Sequence, residues 1–283
     1  MALALMTDLL REAEQRNKAV GAFNVANMEM IIGAIKAAET ANTPIILQIA
    51  QARLVYSPFH LIAPMMVSAA RAAKVPVAVH LDHGQTLDVI QRALDYGFTS
   101  VMIDGSALPL EQNIAITNDT LAAAKKYGAG VEAELGTIGG SEGGAEKKAV
   151  ATDPETVKVF LSRAPADALA IAIGNAHGHY QGTPQLDFEA LKKIHALTQA
   201  PLVLHGGTGI SDEDFRQCID CGIRKINIAT ANFDAATDGI RAYCARHDTS
   251  GFFGLHEAAM QGVYENILRH IAVFNNFDKK EEI

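Results

Sequence analysis

The chain has 283 residues, 49% of them hydrophobic and 20% charged, with a formal net charge of -8 at pH 7. The acidic balance and the lack of a lysine or arginine cluster disfavour a nucleic-acid partner, because binding to phosphates requires concentrated positive charge. The first residues lack the positive start of a secretory signal, and no apolar run is long enough to cross a bilayer. We therefore expect a cytoplasmic protein without membrane contacts.

Eight short apolar runs rich in β-branched residues are predicted to form strands, and the amphipathic segments that follow them are predicted to form helices. The predicted strands are residues 19–25, 44–50, 75–83, 100–104, 129–135, 168–174, 201–205 and 225–229. The predicted helices are residues 28–41, 64–73, 87–96, 113–127, 154–163, 188–198, 212–221 and 233–246. Apolar strands that alternate with helices are typical of a parallel sheet, and eight such units close a barrel. We therefore predict an α/β fold in which residues 1–283 form a single (β/α)8 TIM barrel domain.

Two segments do not fit a minimal barrel. Residues 135–153 are rich in glycine and charged residues, which predicts a mobile loop after the fifth strand. Residues 251–283 predict a C-terminal helical extension. A doubly wound open sheet is the alternative fold, but no Gly-x-Gly-x-x-Gly motif follows the first strand.

Polar side chains collect at the carboxyl ends of the predicted strands, where active sites are built in this fold. They are Asn24, Asp82, His83, Asp104, Glu132, Glu134, Asn175, His177, His179, His205, Asn227 and Thr230. A single polar residue at a strand end is often a helix cap or a turn residue. The convergence of several histidines and carboxylates on one rim indicates a chemical site instead.

Three histidines from different strands suit a Zn2+ ion with an open fourth position, which is the arrangement of a catalytic site. We predict that His83, His177 and His205 are the ligands. His80 lies inside the third strand and His179 lies further into a loop, so these two are the competing candidates and could orient a ligand or a carboxylate instead.

A phosphate site is predicted on the same rim. The glycine-rich turn 205–209 precedes a predicted helix, so its backbone N–H groups could face an anion. Residues 227–230 would supply the other half, because the loops after strands seven and eight frequently bind phosphate in this fold. A metal, carboxylates and a phosphate site indicate chemistry on a sugar phosphate, and retro-aldol cleavage, enolisation and epimerisation all remain open.

Seven ordered segments add a resemblance to a known family. They read GAFNVANMEM, HLDHG, SVMIDGS, VEAELGTIGG, AIGNAHGHY, PLVLHGGTGI and KINIAT. The chain thereby resembles, along nearly its whole length, the class II zinc-dependent ketose-bisphosphate aldolases, the family of fructose-1,6- and tagatose-1,6-bisphosphate aldolases. The resemblance implies reversible cleavage of a ketose phosphate to dihydroxyacetone phosphate and an aldehyde such as glyceraldehyde 3-phosphate.

The resemblance also implies roles for individual residues. Asp82 is the implied proton donor and acceptor at the aldehyde oxygen, and the loop residue Glu142 is implied to exchange the proton at the ketose carbon; Asn227 completes the predicted catalytic set. The implied metal residues, including an alternative metal position or groups that orient the ligands, are His83, His177, His205, Asp104 and Glu134. The predicted substrate-binding residues are Asn24, Gly178, Gly206, Gly207, Thr208, Asn227, Ile228, Ala229 and Thr230.

The implied cofactor is Zn2+, with a monovalent cation or a second divalent ion as a further candidate. Relatives form dimers or tetramers, so the resemblance implies a homodimer or a homotetramer. Two other functions are kept: a metal-dependent sugar-phosphate isomerase or epimerase, and a non-catalytic stabilising subunit of an aldolase complex. The intact metal set disfavours the second of these. Because the resemblance includes aldolases that act together with a non-catalytic barrel, such a subunit is also a candidate partner of this chain.

The chain departs from the family around the second strand. Gln48, Ile49 and Ala50 end this strand where many relatives have a serine, and residues 51–54 replace the usual glycine-rich loop. No arginine is assigned to the distal phosphate, so the aldehyde half of the substrate is left unassigned. A Schiff-base aldolase would require a lysine at the carboxyl end of a strand, whereas we predict Lys225 at the opposite end of the eighth strand.

Overall fold

The computed structural model describes residues 2–140, 148–246 and 251–277. Its eight strands form one closed parallel barrel in chain order. They are β1 (Val20–Asn24), β2 (Ile45–Ala50), β3 (Val77–Gly84), β4 (Ser100–Ile103), β5 (Gly130–Leu135), β6 (Ala168–Ile171), β7 (Leu202–Leu204) and β8 (Ile223–Ile228). Each strand is buried along its whole length, which explains the continuous apolar runs in the sequence. The predicted (β/α)8 TIM barrel is confirmed.

Helices cover the outside of the barrel. They are α1 (Met6–Arg16), α2 (Met28–Thr40), α3 (Phe59–Ala72), α4 (Leu87–Asp95), α5 (Leu110–Lys125), α6 (Pro154–Arg163), α7 (Phe188–Leu197), α8 (Asp212–Asp220), α9 (Thr230–Arg246) and α10 (Phe252–Phe274), with a short 3-10 helix at Gln51–Val55. The side chains of Asn27, Thr86 and Asp153 each accept a backbone N–H bond and so begin α2, α4 and α6. Helix α10 confirms the predicted C-terminal extension.

The largest differences from the prediction lie in two helices. Helix α3 begins at Phe59 rather than at residue 64, and Pro64 lies inside it. The turn before this proline is stabilised by burial, because Phe59, Ile62 and Ala63 all pack into the core. Helix α1 was not predicted, although its buried residues Met6, Leu9, Leu10 and Ala13 recur at helical spacing.

Helix α1 closes the amino end of the barrel. Its buried side chains form one cluster with apolar residues that point into the barrel, among them Ala22, Ile46, Ala78 and Val203. Alternate residues of a strand point to the same face, so the next inward residues are Asn24, Gln48, His80 and His205. The interior therefore changes from apolar at the amino end to polar at the carboxyl end, where the site lies.

The loop after β5 is anchored at its base. The backbones of Thr137 and Val150 exchange two hydrogen bonds of 2.8 Å. The predicted loop residue Glu142 lies outside the described residues, so its position is not part of the site described below. Within the described part of the chain, every helix is too short or too polar to cross a bilayer.

Candidate active site

Three histidines meet at the carboxyl end of the barrel. His83 lies at the end of β3, His177 in the loop after β6 and His205 directly after β7, and each is at most 6% exposed. One nitrogen from each ring lies within 4.8 Å of the other two. His205 Nδ1 is 2.9 Å from His83 Nε2, so two lone-pair-bearing positions face each other across a space that a proton or a cation must occupy. The structure thus brings together the three predicted ligands.

A bulge in β3 turns two successive residues toward this site. Between Leu81 and Gly84 the strand has one residue more than its partner β4, and His83 adopts a left-handed conformation with φ of 45°. Successive residues of a regular strand point to opposite faces, whereas a bulge redirects a side chain. Asp82 and His83 can therefore serve the same site, and the strained φ is a feature found at functional positions.

Carboxylates orient two of the histidines. Glu132 Oε1 is 2.8 Å from His205 Nε2, and Asp104 Oδ2 is 3.1 Å from His83 Nδ1. A carboxylate accepts hydrogen bonds, so these ring nitrogens carry the protons and the opposite nitrogens point inward with free lone pairs. Carboxylates that accept the second N–H of an imidazole are the usual outer partners of metal-bound histidines. The donor set therefore fits a metal ion.

The charges around His83 favour a cation. Burial alone would lower the pKa of His83, but the carboxylates of Asp82, Asp104 and Glu134 raise it to about 10. Burial and the neighbouring His83 lower the pKa of His205 well below its ordinary value. Positive charge is thus stabilised between these rings, which favours a divalent ion at this position.

A second group that could hold a metal uses the opposite edge of His83. It consists of His83, Asp104 and Glu134, and Glu134 Oε2 lies 4.0 Å from His83 Nδ1. Because Asp104 and Glu134 face Nδ1 while His205 faces Nε2, the two positions share one imidazole ring. The other four residues of the predicted metal set therefore lie around His83.

Amide groups surround the Asp82 carboxylate, which is 1% exposed. Asn24 donates to Asp82 Oδ2 at 3.0 Å, Gln48 donates to the same oxygen at 3.3 Å, and Asn227 donates to Oδ1 at 3.2 Å. Burial opposes ionisation, but His83, His205 and Lys225 hold the pKa of Asp82 below its ordinary value. Asp82 is consequently an oriented, ionised carboxylate, with Oδ1 at 3.9 Å from His83 Nε2.

An ion pair that the sequence analysis did not anticipate lies beneath the histidines. Lys225 and Glu132 are both fully buried, and their charged groups are 2.8 Å apart. Lys225 also donates to Asn227 Oδ1 at 2.8 Å, which directs the Asn227 amide nitrogen toward Asp82. The prediction placed Lys225 first in the eighth strand; it is the third residue of β8, and its side chain points into the barrel like that of Asn227.

The other two histidine candidates lie outside the ligand group. His80 is buried below Glu132, with Nε2 at 3.6 Å from Glu132 Oε2, and burial and Lys225 lower its pKa well below the ordinary value. His179 pairs with Asp234 at 3.2 Å on the surface. His80 is thus placed to support Glu132, whereas His179 is exposed and pairs with Asp234.

The predicted phosphate segments lie next to each other. The Thr208 hydroxyl accepts from Ala231 N at 3.0 Å, which ties the turn after β7 to the start of α9. Gly207 N donates to Asn227 O at 3.2 Å, so this N–H group is already used within the barrel. Gly206 has φ of 66°, and a Cβ there would lie 2.1 Å from Ala176 O. Glycine is therefore required where the loops after β6 and β7 touch.

Comparison with known proteins identifies relatives of this site and fold. Residues 4–279 match the family model described as fructose-bisphosphate aldolase class-II. A protein of Halalkalibacterium halodurans named 6-phospho-5-dehydro-2-deoxy-D-gluconate aldolase is 39% identical, with 100% of this chain and 99% of that protein aligned. Fructose-bisphosphate aldolase of Geobacillus stearothermophilus is 40% identical over 87% of each chain. The crystal structure of the YdjI aldolase of Escherichia coli K12 superposes with a TM-score of 0.88 at 36% identity, covering 99% of this chain and 100% of that one.

Proposed function

Because this chain belongs to the class II fructose-bisphosphate aldolase family and is therefore a lyase, we propose that it reversibly cleaves a ketose phosphate in a zinc-dependent reaction. The products are dihydroxyacetone phosphate and an aldehyde, and tagatose-1,6- and fructose-1,6-bisphosphate are the candidate substrates. The observation that carries this proposal is the convergence of three buried histidines with the ionised Asp82.

His83, His177 and His205 would hold the zinc ion, which when bound acts as a Lewis acid that stabilises negative charge on the substrate oxygens. Glu132 and Asp104 keep the ring nitrogens of two ligands directed inward through bonds of 2.8 and 3.1 Å. Asp104 and Glu134 also offer the alternative position for this ion, or a position for a monovalent cation or a second divalent ion.

Asp82 moves the proton of the cleavage step. Breaking the bond between C3 and C4 of a ketose requires a base that takes the proton of the C4 hydroxyl, and the same group returns it in condensation. Asp82 suits this role because it is ionised and both of its oxygens are held by amide N–H groups. Asn227 belongs to the proposed catalytic set through its bond to Asp82 Oδ1, while Asn24 orients the other oxygen.

The triose phosphate half would be bound by the loops after β6, β7 and β8. The contacts between Thr208 and Ala231 and between Gly207 and Asn227 support a common site for these loops. The proposed residues are Gly178, Gly206, Gly207, Thr208, Asn227, Ile228, Ala229 and Thr230. Protonation of the triose carbon is assigned to Glu142 on the resemblance alone.

The proposal extends to the whole protein. We propose that residues 1–283 act as a single catalytic domain in the cytoplasm and that the chain assembles as a homodimer or a homotetramer. The resemblance supports this assembly, and a non-catalytic partner subunit is a further candidate.

An isosteric variant tests the role of Asp82. In Asp82→Asn the carboxylate is lost without a change of shape, so cleavage should fall at least about 1,000-fold while the zinc content stays unchanged. Asp88→Asn on the exposed face of α4 is the matched control and should keep full activity. Product analysis separates the alternatives: an isomerase or epimerase would convert the sugar without releasing triose phosphate. Cleavage retained by Asp82→Asn would exclude Asp82 as the base.

A further inference from the structure

Arg53 lies at the carboxyl end of the barrel, and its guanidinium has no hydrogen-bond acceptor among the described residues. It lies in the 3-10 helix Gln51–Val55, which directly follows β2. The side chain is half-buried, its Nε is fully buried, and it forms neither a hydrogen bond nor an ion pair with any residue in the described part of the chain. The two terminal Nη groups are not fully buried and have no acceptor among the described residues, so they are the N–H groups that a ligand can reach.

The side chain of Arg53 reaches across the end of β1. Its Cζ lies 5.2 Å from the ring centroid of Phe233, which belongs to the first turn of α9 after β8. In the barrel β1 stands between β8 and β2, so a contact between the loops after β2 and β8 must pass over the last residue of β1. That residue is Asn24, whose amide binds Asp82.

The backbone around Arg53 is held in place. Arg53 O accepts hydrogen bonds from Tyr56 N at 3.0 Å and Ser57 N at 3.1 Å. Gln51 Oε1 accepts from Gln85 N at 2.7 Å, which ties the 3-10 helix to the residue after β3. Stacking on Phe233 fixes the other end of the side chain, so the guanidinium is positioned before any ligand arrives.

Arg53 follows β2, the strand next to the one that carries Asp82. The proposed triose-binding loop after β6 stands opposite β2 in an eight-stranded ring, and Ala50 of β2 is paired in register with Asp82. Since Asp82 is proposed to act at the oxygen of the aldehyde half, the remainder of that half would extend toward β1 and β2. A planar guanidinium matches the geometry of a carboxylate or a phosphate and binds either through two N–H groups.

We propose that Arg53 binds a negatively charged terminus, carboxylate or phosphate, on the aldehyde half of the substrate, which makes Arg53 a specificity-determining residue. This inference rests on the proposed aldolase function. It assigns the part of the substrate that the family resemblance left open, because neither the serine nor the glycine-rich loop of many relatives is present here.

Condensation reactions test this role. Zinc-loaded wild type is assayed with dihydroxyacetone phosphate and one of three aldehydes: glyceraldehyde 3-phosphate, succinic semialdehyde or neutral glyceraldehyde. We expect kcat/KM to be higher for at least one charged aldehyde than for glyceraldehyde, and the better one identifies phosphate or carboxylate. In Arg53→Gln this kcat/KM should fall at least about tenfold, while that for glyceraldehyde changes less than about threefold.

Two controls separate this inference from the general function. Exchange of the dihydroxyacetone phosphate methylene proton with solvent needs no aldehyde, so it should be unchanged in Arg53→Gln; its absence in wild type would overturn the aldolase proposal and this inference with it. Arg71→Gln at an exposed position of α3 should leave all three reactions unchanged. Arg53→Lys keeps the charge without the paired N–H groups and should give an intermediate loss.

The inference fails if exchange proceeds normally but the charged aldehydes react no faster than glyceraldehyde. It also fails if Arg53→Gln slows charged and neutral aldehydes equally, because Arg53 would then only support the structure through its stacking on Phe233.

Discussion

Removal of the buried Lys225 ammonium should destabilise the protein more than removal of any surface cation. Lys225 and Glu132 are fully buried with their charges 2.8 Å apart, which corresponds to about 6 kcal/mol of attraction at an effective dielectric constant of about 20. Lys225→Met leaves the Glu132 charge without its partner. We expect the free energy of unfolding to fall by about 3–5 kcal/mol.

A double-mutant cycle isolates this effect from changes in packing. Lys225→Met combined with Glu132→Gln removes both charges, so the double variant should recover more than half of the stability lost by Lys225→Met. Urea unfolding of zinc-free protein at pH 7 measures each value. Arg163→Met breaks the exposed pair of Arg163 with Glu111, 2.6 Å apart, and should cost far less than Lys225→Met, because water screens exposed charges.

The Glu132→Gln variant also tests how Glu132 affects zinc binding by His205. Glu132→Gln weakens the acceptor that holds His205 Nε2, so zinc affinity should fall by about 10- to 100-fold. The reasoning is refuted if Lys225→Met costs no more than Arg163→Met, or if the double variant loses the sum of the two single losses.

Three further changes have defined outcomes. Burial lowers the pKa of His270 from 6.5 to about 4, so the unfolded chain takes up this proton first; stability should fall by about 3 kcal/mol as the pH drops from 6.5 to 4. His270→Leu should lack this part of the pH dependence in urea titrations, and identical slopes in both proteins would contradict it. Gly206→Ala should unfold at lower urea than Gly178→Ala, because both have positive φ but only Gly206 has a backbone oxygen, 2.1 Å away, against its Cβ. Equal losses in the two glycine variants would contradict this. Tyr180 accepts from Ala176 N and donates to Gly206 O, each at 2.9 Å, so Tyr180→Phe should lower both stability and zinc affinity, and unchanged zinc affinity would show that this bridge does not position His177.

The barrel could be predicted because each buried parallel strand appears in the sequence as a continuous apolar run. The prediction of residues 129–135, for example, differs from β5 (Gly130–Leu135) by a single residue. In a closed parallel barrel all carboxyl ends share one rim, so polar residues at the ends of separate strands are expected to meet. This is why His83, His177 and His205 could be grouped from sequence, although they are far apart along the chain.

The position of Lys225 along β8 does not by itself indicate where its charged group lies. The prediction placed Lys225 at the amino end of the strand, far from the active-site rim. Its long side chain nevertheless extends toward the residue two positions on and reaches Asn227. Strand alternation was the available signal, since Lys225 shares a face with Asn227, and Glu132 with Glu134. Helix α1 likewise had its apolar spacing in the sequence.

Other features depend on tertiary contacts that no local pattern records. The bulge that turns both Asp82 and His83 toward the site arises from the register between β3 and β4. The direction of Arg53 depends on its contact with Phe233, which is 180 positions later in the chain. Sequence alone indicates that the loop after β2 is unusual, but only the folded barrel brings it against Phe233, on the other side of β1.

The account is tested most directly by titrating zinc into metal-free protein while measuring dihydroxyacetone phosphate release from fructose-1,6- and tagatose-1,6-bisphosphate. We predict no release without zinc, a linear rise in release of triose phosphate from at least one substrate up to one zinc ion per chain, and no rise for His205→Ala. Zinc that binds at His83, His177 and His205 without cleavage of either bisphosphate would contradict the proposed reaction, and cleavage that is independent of zinc would contradict the role of these histidines.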